Sequence, residues 1–209
     1  MTTETRSPFL IFPNAISPLQ CEGIVDSVEF LIHDVDKTNR QIETHKTSDH
    51  GSDIIHEFLE EHREEIEEYY SRTIVSLDKT RMVWSSSEVE VQQPWCDNSV
   101  RIKDKWLRVH NRDLTAVLFC SDYNDKPPFD SDFEVYGGKM EFPSHGFGFN
   151  AVRGTIVIMP SDPHFTHVFS KISAGDLYLG KTFIATDPPL LYSPKNFPGT
   201  WREWLNEAF

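Results

Sequence analysis

The sequence is poor in basic residues relative to acidic ones, and this imbalance limits the partners that we expect. Lys and Arg together number 20 against 33 Asp and Glu, which gives a formal net charge of −13. An acidic chain is repelled by phosphate backbones unless its basic residues cluster. The densest basic stretch, residues 101–112, is short and is interrupted by Asp104. Nucleic acid is therefore not indicated as a partner.

Long apolar runs and paired cysteines are also missing. No segment approaches the roughly 20 apolar residues of a membrane-spanning helix, and no apolar run near the start resembles a signal peptide. The three cysteines (Cys21, Cys96 and Cys120) are odd in number and have no C-x-x-C spacing. We therefore expect a cytoplasmic protein in a reducing compartment, without a disulfide framework. These features leave the oligomeric state open.

Two helices and a first strand are predicted in the N-terminal 73 residues. After a strand over 8–14, Ser17-Pro18-Leu19-Gln20 has the N-cap Ser, the early Pro and the Gln of a capping box. Residues 34–51 are polar and predict a long loop or short irregular strands. A second helix is predicted over 52–72, where apolar residues recur at helical spacing. Eight acidic residues and Arg63 give this helix a local charge of −7, which is typical of a solvated face.

From residue 74 onward, short segments rich in β-branched and aromatic residues follow one another. We predict strands over 80–92, 113–121, 134–142, 154–159, 165–172 and 175–185. Thr200 and Glu203 form a second capping box, which predicts a short C-terminal helix. The pattern indicates one α+β domain over 1–209, with an N-terminal support (1–73), a β core (74–186) and a C-terminal extension (187–209).

A co-linear series of motifs in the β core carries the main functional signal. It comprises Trp95-Cys96-Asp97, RDLTAVLF (112–119), GGKMEF (137–142), RGTIVIMPS (153–161), HFTHV (164–168) and GDLY (175–178). In this order the segments resemble the 2-oxoglutarate/Fe(II)-dependent oxygenases of the prolyl-4-hydroxylase type. The resemblance covers residues 8–186. It implies a double-stranded β-helix (jelly-roll) core, with the N-terminal helices packed on one sheet.

The resemblance also implies a metal and cofactor site, which this chain matches in part. The family holds Fe(II) with a His-x-Asp pair and a distal His, and a basic residue about ten positions later pairs with 2-oxoglutarate. Asp97 matches the carboxylate ligand, and His167 matches the distal imidazole. Trp95 stands at the first His position, and its indole nitrogen only donates hydrogen bonds. Leu177 stands at the basic position, and Phe119 at that of a tyrosine that binds the cofactor.

Other residues are candidates for the missing roles. Lys181 lies four residues after Leu177 and on the same strand face, so it is the first candidate for pairing with 2-oxoglutarate. Arg153 is a weaker candidate for that role. His110 is a candidate third iron ligand beside Asp97 and His167. An alternative register would make His164 the distal ligand instead.

This pattern is compatible with more than one class of function. The first is an Fe(II)/2-oxoglutarate-dependent oxygenase with an altered metal shell, which hydroxylates an unidentified small molecule or peptide. The second is a non-catalytic binding or scaffold protein whose metal site is filled by Trp95, together with Leu177 and Phe119. A third is the binding of another small ligand in the same pocket. The acidic loop over 122–134 favours a cationic or peptide partner. No catalytic residue other than the ligands is identified.

Overall fold

The protein is described by a computed structural model, which covers residues 6–32, 43–44, 49–86, 93–127, 129–192 and 195–208. The helices are α1 (Pro18–Ile32), α2 (Asp49–Glu61), α3 (Arg63–Tyr70) and α4 (Trp201–Ala208), with a 3-10 turn at Pro163–Phe165. The strands are β1 (Leu10–Phe12), β2 (Glu43–Thr44), β3 (Thr73–Leu77), β4 (Arg81–Ser86), β5 (Ser99–Ile102), β6 (Lys105–Arg108), β7 (Leu114–Phe119), β8 (Asp122–Tyr123), β9 (Glu134–Tyr136), β10 (Met140–Phe142), β11 (Phe147–Phe149), β12 (Ile156–Pro160), β13 (Val168–Phe169) and β14 (Ala174–Asp187). Within these ranges, no helix has the length and apolar character needed to cross a membrane.

A nine-stranded sheet forms the body of this α+β structure. Its main path runs β1-β12-β7-β14-β4-β2, and β3, β8 and β9 join beside that path. Strands β7 (LTAVLF) and β12 (IVIMP) are buried along their whole length, as expected for aliphatic segments that are covered on both faces. The long strand β14 pairs with both β7 and β4, and it therefore lies at the centre of the sheet.

The helix predicted over 52–72 is two helices in the structure. Helix α2 ends at Glu61 and α3 begins at Arg63, because His62 between them leaves helical geometry. The apolar stripe is buried and most of the acidic residues are exposed, so the solvated acidic face is confirmed. Ile55 of α2 lies against Gly180 on the outer side of β14. The Tyr70 hydroxyl of α3 donates to the Ile158 carbonyl oxygen of β12 at 2.8 Å.

The helix starts agree with the capping signals. At α1, Gln20 N–H donates to Ser17 Oγ at 3.3 Å, and Ser17 N–H donates to Gln20 Oε1 at 3.1 Å. At α4, Thr200 N–H donates to Glu203 Oε2 at 2.7 Å. The three cysteines are buried and free.

A smaller sheet, β11-β10-β13, packs on the large one through aromatic side chains. Phe149 of β11 lies 6.2 Å from Phe119 of β7 between ring centroids. The strand predicted over 134–142 is interrupted, because Gly137 and Gly138 have φ angles of 94° and 67° and turn the chain from β9 into β10. This arrangement is compatible with the predicted jelly-roll core.

Several elements differ from the prediction. The hairpin of β5 and β6 was not predicted, because its turn residues, Lys103-Asp104, are not the Asn-Gly type that signals a hairpin. Strands β3 and β11 were also not predicted. Of the strand predicted over 165–172, only β13 forms, preceded by the 3-10 turn. The loop predicted over 34–51 and the end of the strand predicted over 80–92 lie largely outside the described residues.

Candidate functional site

Asp97 and His167 come together because their two segments pair through the backbone. Trp95 and His167 exchange two main-chain hydrogen bonds, with N···O distances of 3.0 and 2.8 Å. Two residues further on, Asp97 places its Oδ2 atom 3.7 Å from His167 Nε2. Both side chains are buried. The structure therefore juxtaposes the two residues that were matched to iron ligands.

Lys181 reaches the same cluster from the central strand β14. It pairs with Val117 of β7, so it points to the inner side of the sheet, opposite the side on which Gly180 contacts α2. The side chain is 1% exposed, and its Nζ lies 3.4 Å from Asp97 Oδ1 and 3.2 Å from His167 Nε2. A positively charged group thus stands between the two predicted iron ligands.

The hydrogen-bond partners of His167 determine its protonation. Its Nδ1 atom lies 3.1 Å from the Phe165 carbonyl oxygen, which only accepts, so Nδ1 carries the hydrogen. The lone pair of Nε2 then accepts from the Lys181 ammonium. Burial lowers the pKa of His167 to about 4, and Lys181 adds to this effect while Asp97 opposes it. His167 is therefore neutral near pH 7, in a tautomer that metal-binding histidines also adopt.

The carboxylate of Asp97 is hydrogen-bonded on both oxygens. Oδ1 accepts from Lys181, and Oδ2 accepts a 2.9 Å hydrogen bond from Thr115 Oγ1, which itself lies 2.7 Å from Ser161 Oγ. Burial alone would raise the pKa of Asp97. Lys181, His167 and Thr115 together nevertheless hold that pKa below its ordinary value. Asp97 is therefore ionised near pH 7 although it is buried.

Trp95 forms one wall of the cluster. Its ring centroid lies 5.0 Å from that of His167, and Lys181 Nζ lies 5.1 Å from the indole centroid, within the range of a cation–π contact. The indole Nε1 is buried and finds no hydrogen-bond partner within the described part of the chain. The indole nitrogen has no free lone pair for a metal, so Trp95 cannot act as a ligand. Its ring lies beside the Lys181 ammonium instead.

The two apolar residues at predicted cofactor positions are part of the hydrophobic core. Phe119 is buried and packs on Phe149. Leu177 is buried against Gly138, on the same strand as Lys181. Both side chains thus belong to the apolar interior, and their relation to a cofactor site stays a prediction.

The remaining candidates do not join the cluster. His110 is exposed, and His164 stacks on Tyr192 with 3.5 Å between ring centroids. Arg153 pairs with Glu22 at 3.1 Å. Over the residues that the structure covers, no three His, Cys, Asp or Glu side chains converge to hold a metal ion.

The acidic loop over 122–134 lines a separate cleft together with α1 and β14. Two of its acidic side chains already bind groups within the protein. Asp122 lies 3.1 Å from Arg153, and Glu134 accepts the backbone N–H groups of Asp130 and Ser131. The expected cationic or peptide partner for this loop stays a prediction.

The residues at the cluster do not fit the Fe(II) ion and 2-oxoglutarate that the resemblance implies. Only Asp97 and His167 remain of the three protein ligands, and both face Lys181 Nζ. A protonated amine has no lone pair for a metal and repels a divalent cation. In this arrangement Lys181 is also engaged with Asp97, so it is not available as the anchor of a cofactor carboxylate.

Known proteins resemble this chain in structure but not in sequence. No family model and no curated protein sequence matches it. A viral collagen prolyl hydroxylase from Paramecium Bursaria Chlorella virus-1, as a 2OG complex, superposes with a TM-score of 0.59 at 11% identity, over 84% of this chain and 94% of that one. A Pseudomonas putida prolyl-4-hydroxylase gives 0.59 at 10%, over 86% and 92%. A Trichoplax adhaerens prolyl hydroxylase, in complex with a hypoxia inducible factor peptide fragment, gives 0.54 at 12%, over 87% and 84%. The structural neighbours of this chain are thus prolyl hydroxylases, whose fold it shares.

Proposed function

We propose that the chain is a metal-independent binding protein built on the prolyl hydroxylase fold, in which the Lys181 ammonium takes the place of the iron. One observation carries this proposal. Lys181 Nζ lies 3.4 Å from Asp97 Oδ1 and 3.2 Å from His167 Nε2, the side chains that would otherwise bind the metal. The fold likeness and the adjacency of Asp97 and His167 support an origin in an oxygenase.

The charges of the cluster are balanced without a metal ion. A carboxylate that loses its only buried counterion destabilises a protein by about 3–5 kcal/mol, so Asp97 needs a cation of some kind. Lys181 supplies that charge and also donates to the lone pair of His167. Trp95 adds an aromatic wall at the position where the family has its first histidine.

The partner that we propose is a peptide or a protein segment. Phe119 and Leu177 occupy the cofactor positions with apolar groups, which disfavours a small dicarboxylate there. One of the structural neighbours was solved with a bound peptide, so this fold is able to present a peptide-binding surface. Transfer of that property to this chain is part of the proposal.

Metal binding by the purified protein tests the proposal directly. We expect no stoichiometric uptake of Fe(II) or Mn(II) under anaerobic conditions, no change in Trp fluorescence with 2-oxoglutarate, and no succinate release. The double substitution Trp95→His with Lys181→Met should create binding of about one Mn(II), because it adds an imidazole and removes the competing ammonium.

A matched control distinguishes the effect of the added imidazole from the effect of removing the Lys181 ammonium. Trp95→Phe with Lys181→Met removes the same ammonium but offers no imidazole, so it should bind Mn(II) far more weakly. Circular dichroism checks that both double variants are folded. Stoichiometric Fe(II) binding by the wild-type protein, accompanied by 2-oxoglutarate turnover, would refute the proposal.

The second candidate is an Fe(II)/2-oxoglutarate oxygenase with an altered metal shell. It is favoured by the 3.7 Å separation of Asp97 Oδ2 and His167 Nε2 and by the neutral His167 tautomer, which suit two ligands of one ion. Here Asp97 and His167 would hold Fe(II), which supplies the oxidising chemistry together with 2-oxoglutarate. Lys181 would leave the pair and bind the 2-oxoglutarate carboxylate. The wild-type titration distinguishes this candidate from the first.

A further inference from the structure

The hairpin of β5 and β6 turns its apolar side chains toward solvent. Val100 pairs with Leu107, so the two share one face of the ribbon, and Ile102 lies on the same face. These three residues are 43%, 54% and 53% exposed, respectively. The opposite face carries Ser99, Arg101, Trp106 and Arg108, of which Trp106 and Arg108 are half-buried and Arg101 is exposed. A strand with one solvated face normally shows the reverse alternation, with apolar residues inside.

This orientation is held in place by the body of the protein. The Arg108 guanidinium donates to Asp113 Oδ1 at 3.0 Å and to Asn111 Oδ1 at 3.2 Å, and Asp113 is fully buried. At the base of the hairpin, Val109 N–H donates to the Asn98 carbonyl oxygen at 2.9 Å. Arg108 is therefore held inward, and the outer face (Val100, Ile102, Leu107 and Val109) is directed outward.

Basic residues lie on both faces of the hairpin: Lys105 pairs with Ile102 on the outer face, Arg101 pairs with Trp106 on the opposite face, and Lys103 lies in the turn. Arg101, Lys103 and Lys105 are exposed and form no ion pair with any residue that the structure describes. On a chain with a net charge of −13 this is a local positive region. Within the described ranges the hairpin pairs with no third strand, so its outer edges keep free backbone N–H and C=O groups.

We infer that this hairpin binds an extended, acidic segment of another protein, in which acidic and apolar residues alternate. Pairing along a free edge supplies main-chain hydrogen bonds, as in other complexes that add a strand to a sheet. The apolar side chains of the segment pack on Val100, Ile102 and Leu107. Because the side chains of an extended segment alternate between its two faces, its carboxylates lie on the opposite face, where they pair with Arg101 and, at the turn, with Lys103, whereas a cationic segment is repelled.

This inference names a partner class for the proposed binding function, but it stands on a different part of the molecule. The outer face includes no residue of the Asp97–Lys181–His167 cluster. A wild-type protein that binds both Mn(II) and the peptide described below would refute the metal-independent function and leave the hairpin inference intact.

Fluorescence anisotropy with a labelled ten-residue peptide of alternating Glu and Val tests the inference. We expect saturable binding to the wild-type protein and at least about tenfold weaker binding to the Val100→Ser/Leu107→Ser variant. The Arg101→Glu/Lys105→Glu variant should lose binding to a similar degree. Val75→Ser, at a residue that is 62% exposed on β3, is the matched control and should bind like the wild type.

Peptide controls separate the two components of recognition. Alternating Lys and Val keeps the apolar pattern and reverses the charge, whereas alternating Glu and Ser keeps the charge alone, and neither should bind. The inference is overturned if the Glu–Val peptide does not saturate up to about 1 mM, or if the Lys–Val peptide binds equally well.

Two further results would assign the surface to another occupant and thereby overturn the inference. One is self-association in sedimentation velocity that disappears in the Val100→Ser/Leu107→Ser variant, which indicates a second copy of this chain. The other is binding to phosphatidylserine vesicles that depends on the same residues while the peptide does not bind.

Discussion

Two regions of the molecule reverse the usual distribution of charge and apolar surface, in opposite senses. The Asp97–Lys181–His167 cluster buries two charged side chains, with Asp97 at 7% and Lys181 at 1% exposure. The β5–β6 hairpin begins two residues after Asp97 and exposes Val100 and Leu107 at 43% and 54%.

The two regions differ in whether their unusual side chains have partners within the protein. In the cluster, each charged group has a partner of opposite charge, and hydroxyl and imidazole groups fill the remaining positions. On the outer face of the hairpin, adjacent apolar side chains are left in water, which is typical of surfaces that bind other molecules. The cluster is stabilised by partners within the protein, whereas the exposed apolar face of the hairpin indicates where a partner binds.

Removal of the buried ammonium should have the largest effect. Lys181→Met is expected to lower the free energy of unfolding by about 3–5 kcal/mol, because Asp97 loses its counterion in the interior. Urea denaturation followed by Trp fluorescence measures this change. The double variant Asp97→Leu/Lys181→Met removes both charges and should recover much of the loss. A single variant within about 1 kcal/mol of the wild type would show that the pair is not buried as described.

The pH dependence of stability tests the neutral state of His167. Its pKa falls from 6.5 to about 4 on folding, so the unfolded chain binds more protons between these values. Stability should therefore fall as the pH drops from 6.5 to 4, by about 3 kcal/mol from this residue. Asp97, with a lowered pKa, acts in the same direction as the pH falls below its unfolded value of about 3.9.

Denaturation curves across this pH range measure the effect. His167→Gln should flatten the dependence between pH 6.5 and 4. His164→Gln should flatten the dependence over the same pH range, because burial also lowers the pKa of His164 to about 4. The double variant should therefore flatten it more than either single variant. An unchanged slope in His167→Gln contradicts the prediction.

Loss of the Thr115 hydroxyl should have an intermediate effect. Thr115→Val leaves Asp97 Oδ2 and Ser161 without their shared partner, which should cost about 1–3 kcal/mol of stability. Thr115→Ser keeps the hydroxyl and should cost less than Thr115→Val. Equal losses in the two variants would contradict the prediction, because Thr115→Ser keeps the hydroxyl and removes only the methyl group.

Substitution on the hairpin should change stability least. Val100→Ser/Leu107→Ser removes exposed apolar groups, so we expect a change within about 0.5 kcal/mol per site in thermal or urea unfolding. The same variant should weaken the Glu–Val peptide about tenfold. A large loss of stability would mean that the outer face packs against the protein itself, which would remove the contrast with the buried cluster.

Sequence reasoning succeeded where a local signal and the order of segments agreed. The capping residues Ser17 and Thr200 predicted two helix starts, and the aliphatic runs of β7 and β12 predicted buried strands. Asp97 and His167 were predicted as ligands because each stands at the matching place in a co-linear series; the structure brings them together, and their role as ligands stays a prediction. The break at His62 was not predicted, because the apolar period continues through it and only backbone geometry shows the end of α2.

The hairpin was not predicted because both of its local signals are unusual. Lys103-Asp104 lacks the residues that favour positive φ, although Lys103 adopts φ of 55°. Apolar residues also alternate along its strands as they do on a buried face, although the face that carries Val100, Ile102 and Leu107 is exposed. A pattern of apolar residues reports which side chains share a face, but not whether the rest of the protein covers that face.

Spacing and local chemistry were enough to predict the core strands β4, β7, β12 and β14, the two helix caps, and Asp97 and His167 as a candidate pair of ligands. Strand parity also placed Lys181 on the inner face. The position of the Lys181 ammonium between Asp97 and His167 could not be predicted from the sequence, since it depends on how β14 and the segment before β5 approach each other across the core. The exposure of Val100 and Leu107 is likewise visible only in the folded protein, because it follows from the contact that holds Arg108 inward against the buried Asp113.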